Sequence, residues 1–168
     1  MRVDDNSAYM QQAYVLAQAA NVHAMVDNWY GDAHAMTDYA LTGPDRAALE
    51  RFVATLPPPP AGHAIDYGRV DASTWRTYYV ETAPILVNAD FATGDPDGNG
   101  VKLMLTKAGG QKFEAASKAA VGHKLAFVVG DRIESAPVIE TAILGGSLQI
   151  TPGPHDDVRP LLDRLGCR

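Results

Sequence analysis

The stretch that decides the fold runs from Val101 to Thr151 and opens with the sequence Val-Lys-Leu-Met-Leu-Thr at residues 101–106. Apolar residues at positions 101, 103 and 105 alternate with Lys, Met and Thr, which is the period-two pattern of a strand with one buried face. The hydroxyl of Thr106 can accept an N–H of a first helical turn, so the sequence predicts a helix directly after the strand. Phe113 and three alanines share one face of this helix, and Gly122 is predicted to end it.

The second half of the same stretch predicts further strands. The unbroken apolar run from Leu125 to Val129 is typical of a strand covered on both faces. Gly130-Asp131 has glycine first, as in a type II′ hairpin turn, so residues 132–135 are predicted to return alongside as a strand. Residues 147–151 are predicted to form a last strand after Gly145-Gly146.

An ordered series of short motifs in this region resembles a known family. The motifs are Leu105-Thr106, Gly110, Phe113, Gly122, Lys124-Leu125-Ala126, Ser135-Ala136-Pro137, Ile143, Gly145-Gly146 and Gln149-Ile150-Thr151. As a series they are similar to the head part of the first periplasmic domain of the SecD protein-export family. The resemblance covers roughly residues 65–153 of the 168-residue chain. Gly130-Asp131 departs from the family, which usually has Asp before Gly at this turn.

The resemblance implies both a fold and a function. The expected class is α+β: a small, ferredoxin-like, mostly antiparallel sheet with a helix packed on one face. The helical N-terminal region expected before it rests on the spacing of its own apolar residues and has no counterpart in the family. The expected core residues are Leu103, Leu105, Phe113, Leu125, Phe127, Val129 and Ile133. The implied function is a non-catalytic binding or adaptor module in a periplasmic or other extracytoplasmic location. The implied partners are exported polypeptides and proteins of the envelope or translocon.

Four consecutive prolines at residues 57–60 mark the clearest boundary in the chain, because a proline run is extended and stiff. We therefore expect a helical region at residues 1–56, a proline linker at 57–61 and the SecD head-like domain at 62–168. Helical spacing of apolar residues predicts helices over residues 7–30, 32–41 and about 45–56. A further helix is predicted over residues 155–165.

Composition excludes several classes of protein. The formal net charge of −6 argues against binding to nucleic acid, which requires a basic surface. No apolar run is long enough for a transmembrane segment, and no signal peptide is visible at the start. Cys167 is the single cysteine, so no disulfide framework is expected. Because the signatures of common hydrolases, phosphate-binding loops and metalloproteases are missing, the chain is predicted not to be an enzyme.

One segment matches the first half of a calcium-binding loop. Asp95, Asp97 and Asn99 place oxygen ligands at alternate positions, and Gly100 follows at the sixth position of the loop. Position twelve would have to be a bidentate Glu but is Thr106, and the same residue types are common in ordinary turns. A plain turn is therefore favoured, with a calcium site as the alternative; no other cofactor is expected.

A short repeat suggests a second alternative. His23-Ala24-Met25 recurs as His34-Ala35-Met36, and each copy is followed by an aspartate, Asp27 or Asp38. On one unbroken helix both copies would share a face, and a His–Asp pair four residues apart can hold zinc. The non-adaptor alternatives are thus a small calcium- or zinc-binding protein, or a structural protein that self-assembles through its N-terminal helices.

Overall fold

The structure is a computed structural model that describes residues 1–31, 34–98 and 100–150. Within these ranges its elements are, in chain order, β1 (Arg2–Val3), α1 (Ala8–Ala19), β2 (Ala24–Gly31), β3 (His34–Gly43), α2 (Arg46–Val53), β4 (His63–Arg69), β5 (Trp75–Glu81), a 3-10 turn (Asn88–Asp90), β6 (Phe91–Asp97), β7 (Gly100–Leu105), α3 (Lys107–Ala119), β8 (Lys124–Leu125), β9 (Phe127–Val129), β10 (Arg132–Ser135) and β11 (Ser147–Ile150). The predicted tail helix at 155–165 and Cys167 lie outside the described residues.

The strands form two sheets. The large sheet has the order β2-β3-β5-β4-β10-β9, and β1 joins it by pairing with β5 and β8. The small sheet has the order β11-β7-β6 and is antiparallel throughout. In the large sheet the one parallel pair among the described strands is β10 with β4, where Ile133 lies opposite Gly68. The α+β class and the mostly antiparallel pairing are confirmed, whereas the ferredoxin-like arrangement is not confirmed.

The small sheet follows the alternation of its sequence. Val101, Leu103 and Leu105 of β7 are buried, while Lys102 and Met104 between them are exposed. Val101 and Leu103 form one apolar cluster with Ile150 of β11 and Val129 of β9. This cluster joins the small sheet to the edge of the large sheet, because a one-sided strand is stable only when its apolar face is covered.

The helix after β7 begins as predicted. The Thr106 hydroxyl accepts a hydrogen bond from the Gly109 N–H at 3.1 Å, which satisfies one of the free donors of the first turn. Ser117 and Gly109 of α3 are buried and Phe113 is half-buried, but Ala119, expected on the same face, is exposed. Gly122 was predicted to end the helix, but α3 ends at Ala119 with Ala120 as its cap; Gly122, with φ at 77°, lies two residues beyond that cap.

The prediction of a wholly helical N-terminal region is wrong, because Ala24–Gly31 and His34–Gly43 are antiparallel strands. Helices do form at Ala8–Ala19 and Arg46–Val53, but β2 pairs with residues 34–41 of β3, with Asp27 opposite Asp38. The end of β3 then pairs with the start of β5 at Thr42 and Arg76. This long-range pairing, together with Val, Trp, Tyr and Thr side chains that favour strands, overrides the helical propensity of the Ala and Met residues.

The apolar run from Leu125 to Val129 is divided into two short strands. The division follows a change of partner: Lys124 and Leu125 pair with β1, and the Ala126 N–H donates to the Met1 carbonyl at 2.7 Å, whereas Phe127–Val129 pair with β10. The following hairpin has the predicted two-residue turn: Gly130 has φ at 65°, Arg132 pairs with Val129, and Asp131 keeps a negative φ, as a type II′ turn requires.

Most of the predicted core is buried. Leu103, Leu105, Leu125, Val129 and Ile133 are at most 8% exposed, in agreement with the sequence patterns. Phe113 and Phe127 are only half-buried, which corrects their assignment to the core. Both of these side chains pack against a buried apolar cluster on one side and also line a cavity.

Candidate functional site

An apolar cavity of about 500 Å³ is lined by both sheets, by α3 and by the segment that precedes the 3-10 turn. The half-buried hydrophobic side chains of its lining are Met1, Ile85, Leu86, Phe91, Phe113, Phe127, Val128, Ile143 and Leu148. Because these apolar side chains are only half-buried around one space, they leave surface that a ligand can cover. The polar side chains of the lining are neutral: Asn88, Ser135, Ser147 and Gln149.

Two strands on the rim of this cavity are sheet edges. In the part of the chain that the structure describes, β9 pairs with β10 alone and β11 pairs with β7 alone. Each strand therefore has a side whose backbone N–H and C=O groups are not used by another of the described strands. Phe127 and Val128 of β9 and all four residues of β11 also line the cavity. Within the described residues, the site thus combines apolar surface with the backbone of two sheet edges.

Two close approaches hold the site in shape. A Cβ on Gly109 would collide with the carbonyl oxygen of Asp90, so a side chain here would push α3 away from the 3-10 turn. Asp90 accepts a hydrogen bond from Lys112 at 2.7 Å and another from the Val87 N–H at 3.0 Å. These two hydrogen bonds, above all the one from Lys112, hold the pKa of the Asp90 carboxyl below its usual range. The Asp90 carboxylate is therefore charged at neutral pH.

The Gly145-Gly146 turn places β11 at the cavity. Both glycines have positive φ, at 85° and 66°, a region that residues with a Cβ rarely adopt. The Gly146 carbonyl accepts from the Leu105 N–H at 2.7 Å, and a Cβ on Gly110 would lie 3.5 Å from the Gly146 Cα. The glycines quoted in the sequence resemblance therefore act as packing positions that bring turn, helix and edge strand together.

The His–Asp repeat does not form a shared helical face, so the zinc alternative built on it is wrong in its geometry. Asp27 and Asp38 are cross-strand partners in the β2–β3 hairpin. Lys124 reaches both of them, with its Nζ 2.6 Å from an Asp38 oxygen and 3.2 Å from an Asp27 oxygen, and lies 5.0 Å from the centre of the Trp29 ring. The two aspartates therefore attach the hairpin to the region that resembles SecD.

A second ion pair is buried where β1 ends. Arg76 donates to Asp5 at 2.7 Å, and the Tyr79 N–H donates to the other carboxylate oxygen at 2.6 Å. Burial raises the pKa of Asp5 to about 7, although the charge of Arg76 and the Tyr79 hydrogen bond oppose this shift. The guanidinium of Arg76 also lies 4.3 Å from the centre of the Tyr78 ring. The sequence contains no local signal for this pair, because its members are 71 positions apart.

The candidate calcium ligands lie in a simple hairpin. Asp95 and Asp97 belong to β6, where they pair with Lys102 and Gly100, and Gly98 takes φ at 60° in the turn. Asn99 lies outside the described residues. In the described ranges, the group of His, Cys, Asp or Glu side chains that converges closely enough to hold a metal is Asp4, His63 and Glu81. The calcium site at Asp95, Asp97 and Asn99 stays a prediction.

Comparisons with known proteins agree with the sequence resemblance. The family model described as "SecDF, P1 head subdomain" matches residues 70–157, just over half of the chain. The protein translocase subunit SecDF of Thermus thermophilus is 39% identical over 75 residues, and the match covers 40% of this chain and 10% of that protein. The chain therefore spans about a tenth of the length of this relative.

Two solved structures show similarity at the level of the backbone. A structure of the membrane component SecDF that enhances protein export covers 98% of this chain and 89% of its own, with a TM-score of 0.45 and 18% identity. A crystal structure of SecDF in a super-membrane-facing form covers 90% of this chain and 25% of its own, with a TM-score of 0.41 and 20% identity. Among the helices that the structure describes here, none is both long and apolar enough to cross a membrane. On the match over residues 70–157, the chain belongs to the SecDF P1 head subdomain family.

Proposed function

We propose that this chain assists protein export outside the cytoplasm by binding a short, extended, apolar segment of polypeptide. Its partners are then exported polypeptides, or envelope and translocon proteins that present such a segment. The observation that carries the proposal is the apolar cavity with an edge strand, β9 or β11, on each side of its rim. Membership of the SecDF head family supports the biological setting.

An extended peptide meets both requirements of this site. Its backbone can add to an edge strand by hydrogen bonding, while alternate side chains point to one face and can enter an apolar pocket. β11 has four residues, so about 13 Å of peptide can pair with it, at about 3.3 Å per residue. Main-chain pairing and apolar contacts together select extended, apolar chain rather than one particular sequence.

The expected affinity is modest. Full burial of a Leu or Phe side chain contributes about 1.5–3 kcal/mol, and a peptide of this length places about two side chains in the cavity. Ordering the peptide costs part of this gain. A dissociation constant of roughly 0.1–5 mM follows, which suits a site that must release its ligand.

Binding rather than catalysis is the proposed role of this site. The described side chains of the lining are apolar, apart from the neutral Asn88, Ser135, Ser147 and Gln149. General acid–base or nucleophilic chemistry requires a titratable or activated group near the ligand. A lining made mainly of apolar side chains instead favours reversible capture.

Site-specific photocrosslinking tests the proposal. A photocrosslinking amino acid at position 148 lies in the cavity, and the same group at Leu144 serves as the matched control because that side chain is 66% exposed and outside the lining. The purified chain is mixed with an unfolded secreted protein and with its folded form. We expect crosslinks from position 148 to the unfolded form at least about fivefold above those from position 144.

Three results would contradict the proposal. Equal crosslinking from both positions indicates non-specific contact. Preference for the folded form indicates recognition of a surface rather than of extended chain. Crosslinks from position 148 only to a second copy of this chain favour the self-assembly alternative, in which β11 or β9 pairs with the same edge of another molecule.

A further inference from the structure

A cluster remote from the apolar cavity contains Asp4, His63 and Glu81, and we propose that it is a binding site for a zinc ion. One ligand atom from each side chain lies within 4.8 Å of the other two. One imidazole and two carboxylates are common zinc ligands, and a water molecule can complete a tetrahedral shell. The proposal does not depend on peptide binding, because none of these residues lines the cavity.

The backbone at all three positions is fixed by the large sheet. His63 is the first residue of β4 and lies directly opposite Glu81, the last residue of β5. Asp4 follows β1, and its N–H donates to the Tyr79 carbonyl at 2.7 Å. The three ligands therefore come from three neighbouring strands, and little chain entropy remains to be lost when a metal binds.

The imidazole is held in one orientation. Its ring stacks on Tyr79 with centroids 4.8 Å apart and planes 8° apart, and Tyr79 stacks in turn on Tyr9 at 5.0 Å. The Tyr9 hydroxyl donates to the Pro57 carbonyl at 2.8 Å, so the outer ring of the stack is fixed as well. This arrangement aims the Nε2 of His63 at an Asp4 oxygen 3.2 Å away.

The contacts of Asp4 and His63 leave one nitrogen and one oxygen facing each other. Arg2 lies 3.1 Å from Asp4 Oδ1, while Asp4 Oδ2 is the oxygen that faces the Nε2 of His63. The Arg2 contact therefore holds the carboxylate with its second oxygen toward the imidazole. The Nδ1 of His63, on the other side of the ring, is buried and has no hydrogen-bond partner among the described residues, so Nε2 is the nitrogen that would bind the metal.

The ligand types select the metal. Imidazole nitrogen suits zinc and other divalent transition metals, whereas calcium and magnesium prefer oxygen ligands alone. Two carboxylates also carry enough negative charge to neutralise a divalent ion. Zinc bound here would tie β1, β4 and β5 together at one end of the large sheet.

Calorimetric titration of the chelator-treated chain with zinc chloride tests this site. We expect one zinc ion per chain and a melting temperature that rises with zinc concentration, because the ion binds the folded state. His63→Ala and Glu81→Gln are each expected to weaken zinc binding by more than about tenfold. His23→Ala is the matched control, since His23 is exposed and outside the cluster.

Further controls distinguish the outcomes. Circular dichroism checks the fold of each variant. If His63→Ala does not fold, Glu81→Gln, which changes the shape of the side chain little, is used alone to test zinc binding. The double variant Asp95→Asn/Asp97→Asn is expected to keep its zinc affinity, and excess calcium is expected not to displace the zinc. The proposal is overturned if the folded chain does not bind zinc below about 100 μM, or if Glu81→Gln and a folded His63→Ala bind it as tightly as the unaltered chain.

Discussion

The small sheet and the N-terminal elements from β1 to β3 are fixed to the rest of the molecule by different interactions. β7 and β11 pack through an apolar cluster of Val101, Leu103 and Ile150. The N-terminal elements rely in addition on buried charges: Asp5 with Arg76, and Lys124 with Asp38. In an apolar cluster, the loss of stability grows with the side-chain volume that is removed. In a buried ion pair, removal of one partner leaves an unpaired buried charge, which is strongly destabilising. The two regions should therefore respond differently to single substitutions.

Loss of Asp5 is expected to have the largest effect. Asp5→Ala leaves the guanidinium of Arg76, whose side chain is 9% exposed, without its carboxylate, and also removes the acceptor of the Tyr79 N–H. At about pH 8 we expect the free energy of unfolding to fall by about 4 kcal/mol. Urea denaturation measures this loss. The control is Asp5→Leu/Arg76→Met, which removes both charges; if it is as destabilising as Asp5→Ala, the cause is not an unpaired charge.

Truncation in the small sheet is expected to cost somewhat less. Leu103→Ala removes a fully buried side chain from the apolar cluster and leaves a cavity. The expected loss in the free energy of unfolding is about 3 kcal/mol, again by urea denaturation. Met104→Ala in the same strand is the matched control, because Met104 is 37% exposed and should change stability by less than about 1 kcal/mol. Equal losses for the two variants would contradict the burial pattern of β7.

The buried carboxyl should also make stability depend on pH. Burial raises the pKa of Asp5 from 3.8 to about 7, so the folded state holds a proton that the unfolded state has released. Stability from this group is therefore present at low pH and is lost as the pH rises through about 7. Between about pH 5 and pH 7.5 we expect the free energy of unfolding to fall by about 2 kcal/mol more in the unaltered chain than in Asp5→Asn. Parallel pH profiles for the two proteins would contradict this assignment.

An exposed ion pair of equal length is expected to have the smallest effect. Arg46 and Asp131 are 2.7 Å apart, the same distance as Asp5 and Arg76, but the Asp131 side chain is 79% exposed. Asp131→Asn should lower the free energy of unfolding by about 0.5 kcal/mol, and added salt should weaken the difference. If Asp131→Asn lowers the free energy of unfolding by more than about 2 kcal/mol, burial does not explain the difference in stability between the two ion pairs.

The local sequence predicted much of the segment from β7 to β10 because its structure depends on nearby residues. Alternation in β7, the Thr106 cap and the Gly130-Asp131 turn are all short-range signals, and each is present in the structure. The family resemblance from these motifs is confirmed by the match over residues 70–157. The half-burial of Phe113 and Phe127 was not predicted, because an unfilled cavity has no signature in the spacing of apolar residues.

The hairpin and the polar clusters could not be predicted in the same way. The segment from Ala24 to Gly43 contains Ala and Met residues that favour helix. Its strands are fixed by the pairing of β3 with β5 and by the ion pair between Lys124 and Asp27. Asp4, His63 and Glu81 are far apart in sequence and meet only because β1 and β4 flank β5. Sequence spacing instead suggested metal ligands at Asp95 and Asp97, which lie in a β-hairpin.

The central claim is that the apolar cavity binds extended polypeptide, and a fluorescence anisotropy titration tests it most directly. A labelled, unstructured peptide rich in Leu and Val is titrated with the unaltered chain, with Phe127→Ser/Leu148→Ser and with Val15→Ser, whose exposed side chain lies on α1 outside the cavity. We predict saturable binding that is weakened at least about tenfold by the cavity variant and unchanged by the control. Equal affinity for all three folded proteins, or no saturation by the unaltered chain up to about 5 mM, would contradict the account.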